Sequence, residues 1–395
     1  MDDSKNRGHS GKREAPQPLA TGVSTEVNPG KGASGSESHI FFRRPKKICG
    51  CICIPFVLLV VLELILRVTG YGYSTSFFVP AGDGRTLAVN HRYGWQFFPR
   101  ETATAPFPCF MSARKPEKTI RIFVLGESAA LGTPDPAFGF SRILDVMLKR
   151  QYPERRFEIV NAAMWGINSH VILPIARECA GHDPDLFIIY MGNNEVVGLH
   201  APEAGIFNLT PYLKVLRLAQ RFKATKIGQL SEAIRRKAGG SEGECQDMEF
   251  FRKRRLASDD PLRRAVRDNF EDNLADILKA TGRSGAKTIL CTVAVNLKDC
   301  PPLASLHRRD LSPADEAAWN RLYENGISAE AAGLYDKASV LFLEAAKLDD
   351  RFADLQYRLA RCFFAGGQFE KAAVHYKLAC DSDALQFRSL RDFNV

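Results

Sequence analysis

The first forty residues of this 395-residue chain contain no aromatic side chain and few branched apolar ones. A segment so poor in buriable surface cannot offset its ordering entropy, so a packed core is excluded there and Met1–His39 reads as a disordered tail. The ten cysteines form no disulfide framework. Cys49, Cys51 and Cys53 lie in an apolar run, Cys291 in a strand-like run, and Cys362 and Cys380 in helical segments, so small buried thiols are expected. No cysteine or histidine spacing resembles a zinc site and no phosphate-binding loop is present, so neither metal nor cofactor is expected. The formal charge of +9 is not gathered into a nucleic-acid-reading surface. Arg43, Arg44, Lys46 and Lys47 flank an apolar run, and Arg252–Arg255 sit in a helix-like insert without interleaved aromatics, so no nucleic-acid partner is expected. What remains, 45% apolar, suffices for two to three compact units.

Residues 48–68 read ICGCICIPFVLLVVLELILRV. About 21 helical residues span the ~30 Å hydrocarbon core of a bilayer. Glu63 and Arg67 stand four apart near the far end, where they can pair on one helix face close to the interface. The run starts late, is longer than a signal-peptide core and is followed by no small-x-small cleavage site, so it reads as an anchor. Its basic flank lies on the amino side. The positive-inside rule then puts residues 1–47 in the cytoplasm as a disordered basic tail and the main domain outside the cytoplasm, in a single-pass protein. Residues 69–118 read as a linker or N-terminal extension.

From Thr119 the pattern changes. Ile120, Ile122, Val124 and Leu125 form a buried-strand run that ends at Gly126, and Phe140, Ile143, Leu144, Met147 and Leu148 follow at helical spacing. Phe157–Ala163 and Asp185–Gly192 are two further strands, with a helix near Ser169–Ala180 between them. Lys287–Val295, after a long helical insert, is a fourth. Strands alternating with helices imply a parallel sheet covered on both faces, with ligands beyond the carboxyl ends of the strands. At three of those ends stand Gly126-Glu127-Ser128, Asn161 followed by Gly166, and Gly192-Asn193-Asn194-Glu195.

These three blocks, in this order, resemble those of the SGNH (GDSL-like) hydrolases, with Glu in place of Asp in the first and third. The resemblance implies an α/β fold over residues 119–310, a flavodoxin-like three-layer α/β/α parallel sheet. It also implies serine-esterase chemistry on an ester-bearing substrate. Ser128 matches the nucleophile, and the Ser128 and Gly166 N–H groups and the Asn194 side chain match the oxyanion donors. Fixed donors aimed at developing negative charge are worth ~3–4 kcal/mol each. Ser128 is followed by Ala129-Ala130, which lacks the second glycine of the G-x-S-x-G elbow and disfavours an α/β-hydrolase.

The family's closing Asp-x-x-His block is not found, because none of the histidines has an aspartate three residues before it. His170 and His182 flank a predicted helix, His200 lies in a loop, His307 follows the fourth strand and His375 is in the C-terminal region. A serine without a base is a poor nucleophile, so little esterase turnover is expected, from an incomplete esterase or one that has lost its base. O-acyl transfer to an exported glycan and a catalytically inactive binding or scaffold module are the alternatives.

Over residues 315–383, Tyr335, Lys337, Ala338, Phe342, Ala345 and Asp349 recur 34 residues later as Phe369, Lys371, Ala372, Tyr376, Ala379 and Asp383. This period, with small residues facing aromatic ones, resembles tetratricopeptide (TPR) repeats. Two repeats are few to stand alone, so they are expected to lean on the preceding domain, either as a groove for a protein partner or as a structural insert.

Overall fold

The computed structural model describes residues 46–200, 210–239 and 254–387. Of the expected tail, residues 1–45 lie outside the described residues, as do Arg252 and Lys253 of the second basic run. The chain divides into two units, Met1–Ile54 and Pro55–Val395, and the second carries the fold.

Helix α1 (Lys46–Val68) covers the apolar run. Among the described residues no helix is long and apolar enough to cross a membrane. From Ile54 to Val68 its large apolar side chains are mostly exposed. Arg67 donates to the Glu63 carboxylate at 2.9 Å, the pairing that the four-residue spacing predicts.

The centre is a mixed α/β arrangement around a four-stranded parallel sheet, β4 (Thr119–Gly126), β5 (Arg156–Asn161), β6 (Leu186–Tyr190) and β7 (Lys287–Cys291), in the order β5-β4-β6-β7. Alternation along β4 divides the core. Ile122 and Val124 face α2 (Ser128–Leu131) and α3 (Phe140–Gln151). Phe123 and Leu125 face α4 (Ser169–Cys179) and the long helix α7 (Leu262–Arg283), which brings Val266, Phe270 and Ile277. Lys287–Val295 pairs as a strand only to Cys291, because β6 ends at Tyr190, its partner in register. Beyond that point a parallel strand has nothing to bond. Between β6 and α7 run α5 (Leu213–Ala224) and α6 (Lys226–Lys237).

Residues 69–118 fold onto the same core. A three-stranded antiparallel sheet, β1 (Phe78–Pro80), β2 (Thr86–Val89) and β3 (Phe110–Ser112), carries Phe77, Phe78 and Met111 into contact with Phe123 and Phe187. Arg121 bolts the two sheets together from a fully buried position. Its guanidinium donates to the Glu158 carboxylate (2.7 Å), the His182 carbonyl (2.7 Å) and the Ser112 carbonyl (2.8 Å). A buried cation is tolerable because each face of the fork has a partner.

The C-terminal helices α8 (Pro313–Ala331), α9 (Tyr335–Leu348), α10 (Ala353–Ala365) and α11 (Phe369–Ser382) share a second core. The recurring residues take equivalent places in it: Ala338 and Ala372, Phe342 and Tyr376, and Ala345 and Ala379 are all buried. Their final aspartates are buried too, and both hold the same incoming strap. Asp383 accepts from the N–H groups of Leu303 and Ala304, and Asp349 from that of Arg308 and from the His307 ring. After α11 the chain returns to the first core. Arg263 donates to the carbonyls of Asp381, Asp383 and Leu256, and Leu385 is buried in the cluster built on the parallel sheet. The four-helix segment is thus an insertion whose two ends meet one core.

Candidate functional site

In-register pairing sets Val124 opposite Asn161 and Gly126 opposite Tyr190, so the ends of β4, β5 and β6 lie side by side. The backbone there is tight. A Cβ on Gly126 would run into the Tyr190 carbonyl and the Ala130 methyl. Gly166 has φ of 74°, a left-handed conformation that L side chains rarely adopt. Ser128 opens α2 directly after the strand and is half-buried.

Hydrogen bonds link the three blocks. Glu127 is wholly buried and accepts from the N–H groups of Gly192 (3.2 Å) and Asn193 (2.7 Å), which joins the first block to the third. The Asn194 amide donates to the Ile167 carbonyl at 2.8 Å, joining the third to the loop that carries Gly166. Asn161 donates to the Ala130 carbonyl (3.1 Å) and to Ser141 Oγ (2.9 Å), anchoring the second block to α2 and α3. Asn193 Nδ2 reaches the Phe387 carbonyl, so the chain returning from the helical insertion touches the third block.

Behind these ends lies a buried polar chain that sequence reasoning missed. Glu195 accepts from the Ser169 N–H (2.8 Å) and Ser169 Oγ (2.7 Å). Ser169 Oγ accepts from Asn273 Nδ2 at 3.0 Å, and the same amide lies 3.3 Å from His170 Nδ1. Glu127 and Glu195 are both buried in this cluster and interact electrostatically. Burial pushes both carboxyls up, Glu195 to about 7 and Glu127 well above its ordinary range. Two carboxylates in contact away from water cannot both ionise, so the pair holds a proton between them. The signal available in the sequence was the Glu for Asp exchange in two blocks, since the longer side chains are the ones that meet.

No protein-family model matches this chain, and no curated protein matches it. Among solved structures, the chain is similar to the crystal structure of TesA at 19% identity, over 42% of this chain and 76% of that one, with a TM-score of 0.21.

Five of the described histidines have partners other than Ser128. His170 contacts Asn273 and stacks edge-on against His200, whose Nε2 meets Gln220 at 3.2 Å. Burial lowers His170 to about 3 and His200 to about 4, so both are neutral imidazoles. His182 packs on Phe78, His307 pairs with Asp349 and His375 with Gln356, while His91, two residues after β2, is exposed. Ser128 and the loops carrying Gly166 and Asn194 follow neighbouring strands, and among the described residues no imidazole is hydrogen-bonded to Ser128 or Asn194. The Asn194 amide, matched by resemblance to an oxyanion donor, is here given to Ile167.

Proposed function

We propose that this chain is a membrane-anchored ester-hydrolase module of SGNH type, with Ser128 as the acyl-accepting hydroxyl and with Gly166 and Asn194 as oxyanion donors. The observation that supports this reading is the meeting of three motif blocks at the carboxyl edge of one parallel sheet, hydrogen-bonded to one another. Ester cleavage at such a site proceeds by attack of Ser128 Oγ on the acyl carbonyl while a base takes the hydroxyl proton. The C–O bond to the alcohol breaks, the alcohol leaves with that proton, and water then hydrolyses the acyl-serine. No described residue supplies that base by hydrogen bond, so turnover by the chain alone is expected to be slow. The apolar, exposed run of α1 serves as the anchor, with the folded domain on the non-cytoplasmic side. The two helical repeats are of tetratricopeptide type and, pinned at both ends, serve chiefly as a structural insert.

The engagement of Asn194 with Ile167 favours a second reading, a binding module that has kept the sheet and lost the chemistry. A fluorophosphonate probe separates the two. Covalent labelling of the full chain in detergent, abolished by Ser128→Ala, supports the hydrolase reading. Labelling that survives Ser128→Ala overturns it, and no labelling at all favours the binding module. Rapid ester hydrolysis that depends on Ser128 would reveal a base that the described hydrogen bonds do not show.

A further inference from the structure

The pair of helices α5 and α6 has no apparent task in the strand-end site, yet it is tied to the far end of α1. The first two N–H groups of α6, on Lys226 and Ile227, donate to the Glu63 carboxylate at 3.1 and 2.9 Å. The third, on Gly228, donates to Thr225 Oγ1. Helix α6 is thus capped by a side chain of α1, 163 residues away in sequence. Gln229 and Lys226 add bonds to the backbone of Tyr73. Glu63 lies five residues before the end of α1 at Val68, which places the start of α6 within about 8 Å of the helix end at ~1.5 Å per residue.

The outward surface of this hairpin is apolar and basic. In α5, Leu216 is buried and Arg217 turns inward to Asp276 and Asn273. Val215, Leu218 and Phe222, on the opposite side at about 100° per residue, are exposed among the described residues, as is Ile234 on α6. Lys214, Arg221 and Lys223 are exposed around that stripe. From Leu213 to Lys237 the chain carries eight basic residues and one acidic, Glu232. Of the basic ones, Arg217, Lys226, Arg235 and Arg236 are engaged with Asp276, the Tyr73 carbonyl, Glu232 and Glu101 respectively. Next to the hairpin the half-buried Trp95 stacks edge-on against the buried Tyr73, with Arg100 lying over both rings. Amphipathic aromatics beside a basic, apolar helix face are the chemistry of the lipid headgroup layer.

We propose that the α5–α6 hairpin lies in the plane of the bilayer interface, with Val215, Leu218 and Phe222 among the upper acyl chains and Lys214, Arg221 and Lys223 on anionic headgroups. The proposal rests on the reading that α1 enters the bilayer. Interfacial helices sink roughly 5–10 Å into the headgroup boundary, which matches the level at which Glu63 holds α6. Charge selects a lipid surface containing phosphatidylglycerol over a neutral one.

The test uses the full chain reconstituted into phosphatidylcholine vesicles with about one third phosphatidylglycerol, part of the lipid carrying brominated acyl chains. Single variants Leu218→Trp and Phe222→Trp report on the hairpin. Leu58→Trp reports on α1, and Val340→Trp, exposed on α9, is the control. All are surface positions, and the wild-type signal of the native tryptophans is subtracted. The expected result is loss of Leu218→Trp and Phe222→Trp emission to the brominated lipid, with no loss for Val340→Trp. The loss should shrink when Lys214, Arg221 and Lys223 are all replaced by Glu, or when phosphatidylglycerol is omitted. Hairpin tryptophans quenched no more than Val340→Trp overturn the proposal, including the case in which a protein or a second copy covers the stripe. Quenching of Leu58→Trp decides the anchor separately.

Discussion

The helical repeats and the strand-end cluster carry equally recognisable motifs, yet the two behave differently once folded. In the repeats, residue type foretells place. The small and aromatic members of the 34-residue pattern fall at matching buried positions, and both terminal aspartates hold the same strap. At the strand ends the blocks do come together, but their polar groups turn toward one another. Glu127 serves the backbone of Gly192 and Asn193, Asn194 serves Ile167, and Glu195 serves Ser169. Packing asks only for size and face, which a periodic motif specifies. Catalysis asks for aim, which depends on partners distant in sequence.

The comparison can be broken from either side. Phe342→Ala should cost about 3–5 kcal/mol in denaturant unfolding, because the ring sits at the centre of the repeat core. A much smaller loss would mean that the repeats are not a packed unit. Asp383→Ala removes the acceptor from the N–H groups of Leu303, Ala304 and Leu385, and should cost roughly 2–3 kcal/mol in the same assay.

The carboxyl pair gives a pH signature of opposite sign to that of the repeats, where burial lowers His375. Glu195 is raised in the folded state to about 7 from an ordinary 4.5, so its contribution to stability is complete below about 4.5 and is lost as pH rises through 7. His170 and His200 act in the opposite sense. Lowered to about 3 and about 4, they contribute fully above 6.5 and lose that contribution as pH falls. Stability measured from pH 5 to 8 should therefore decline on the alkaline side, and Glu195→Gln should reduce that decline by about 1–2 kcal/mol. An unchanged profile would show that the two carboxyls do not share a proton. The smallest effect belongs to Ser128→Ala, whose stability should stay within about 0.5 kcal/mol of the wild type, since the half-buried hydroxyl carries no part of the linking network. A larger loss would make Ser128 a structural residue.

How far these features were legible follows from their range. Strands β4, β5 and β6 and helices α3 and α4 appeared in the sequence within a residue or two of their observed ends, because each buries a continuous or periodic apolar face. The extent of β7 was overread, since the apolar run Thr292–Val295 carries no mark of where β6 stops. Strands β1 to β3 have only three or four residues each, too short for alternation to register. The meeting of Glu127 with Glu195, and the capping of α6 by Glu63, join positions 68 and 163 residues apart. Local patterning cannot reveal such pairs.

The strap beneath the repeats works as a ruler. Asp383 grips it at Leu303 and Ala304, and Asp349 grips it four residues on, at His307 and Arg308. Four extended residues reach about 13 Å, room for one step between helix pairs whose axes pack 8–10 Å apart. Each repeat therefore claims about four residues of strap. Because the insertion must also bring Leu385 back into the sheet core, a third repeat would need both a longer strap and a new route home. The number of repeats is thus written in the length of a segment that belongs to neither repeat.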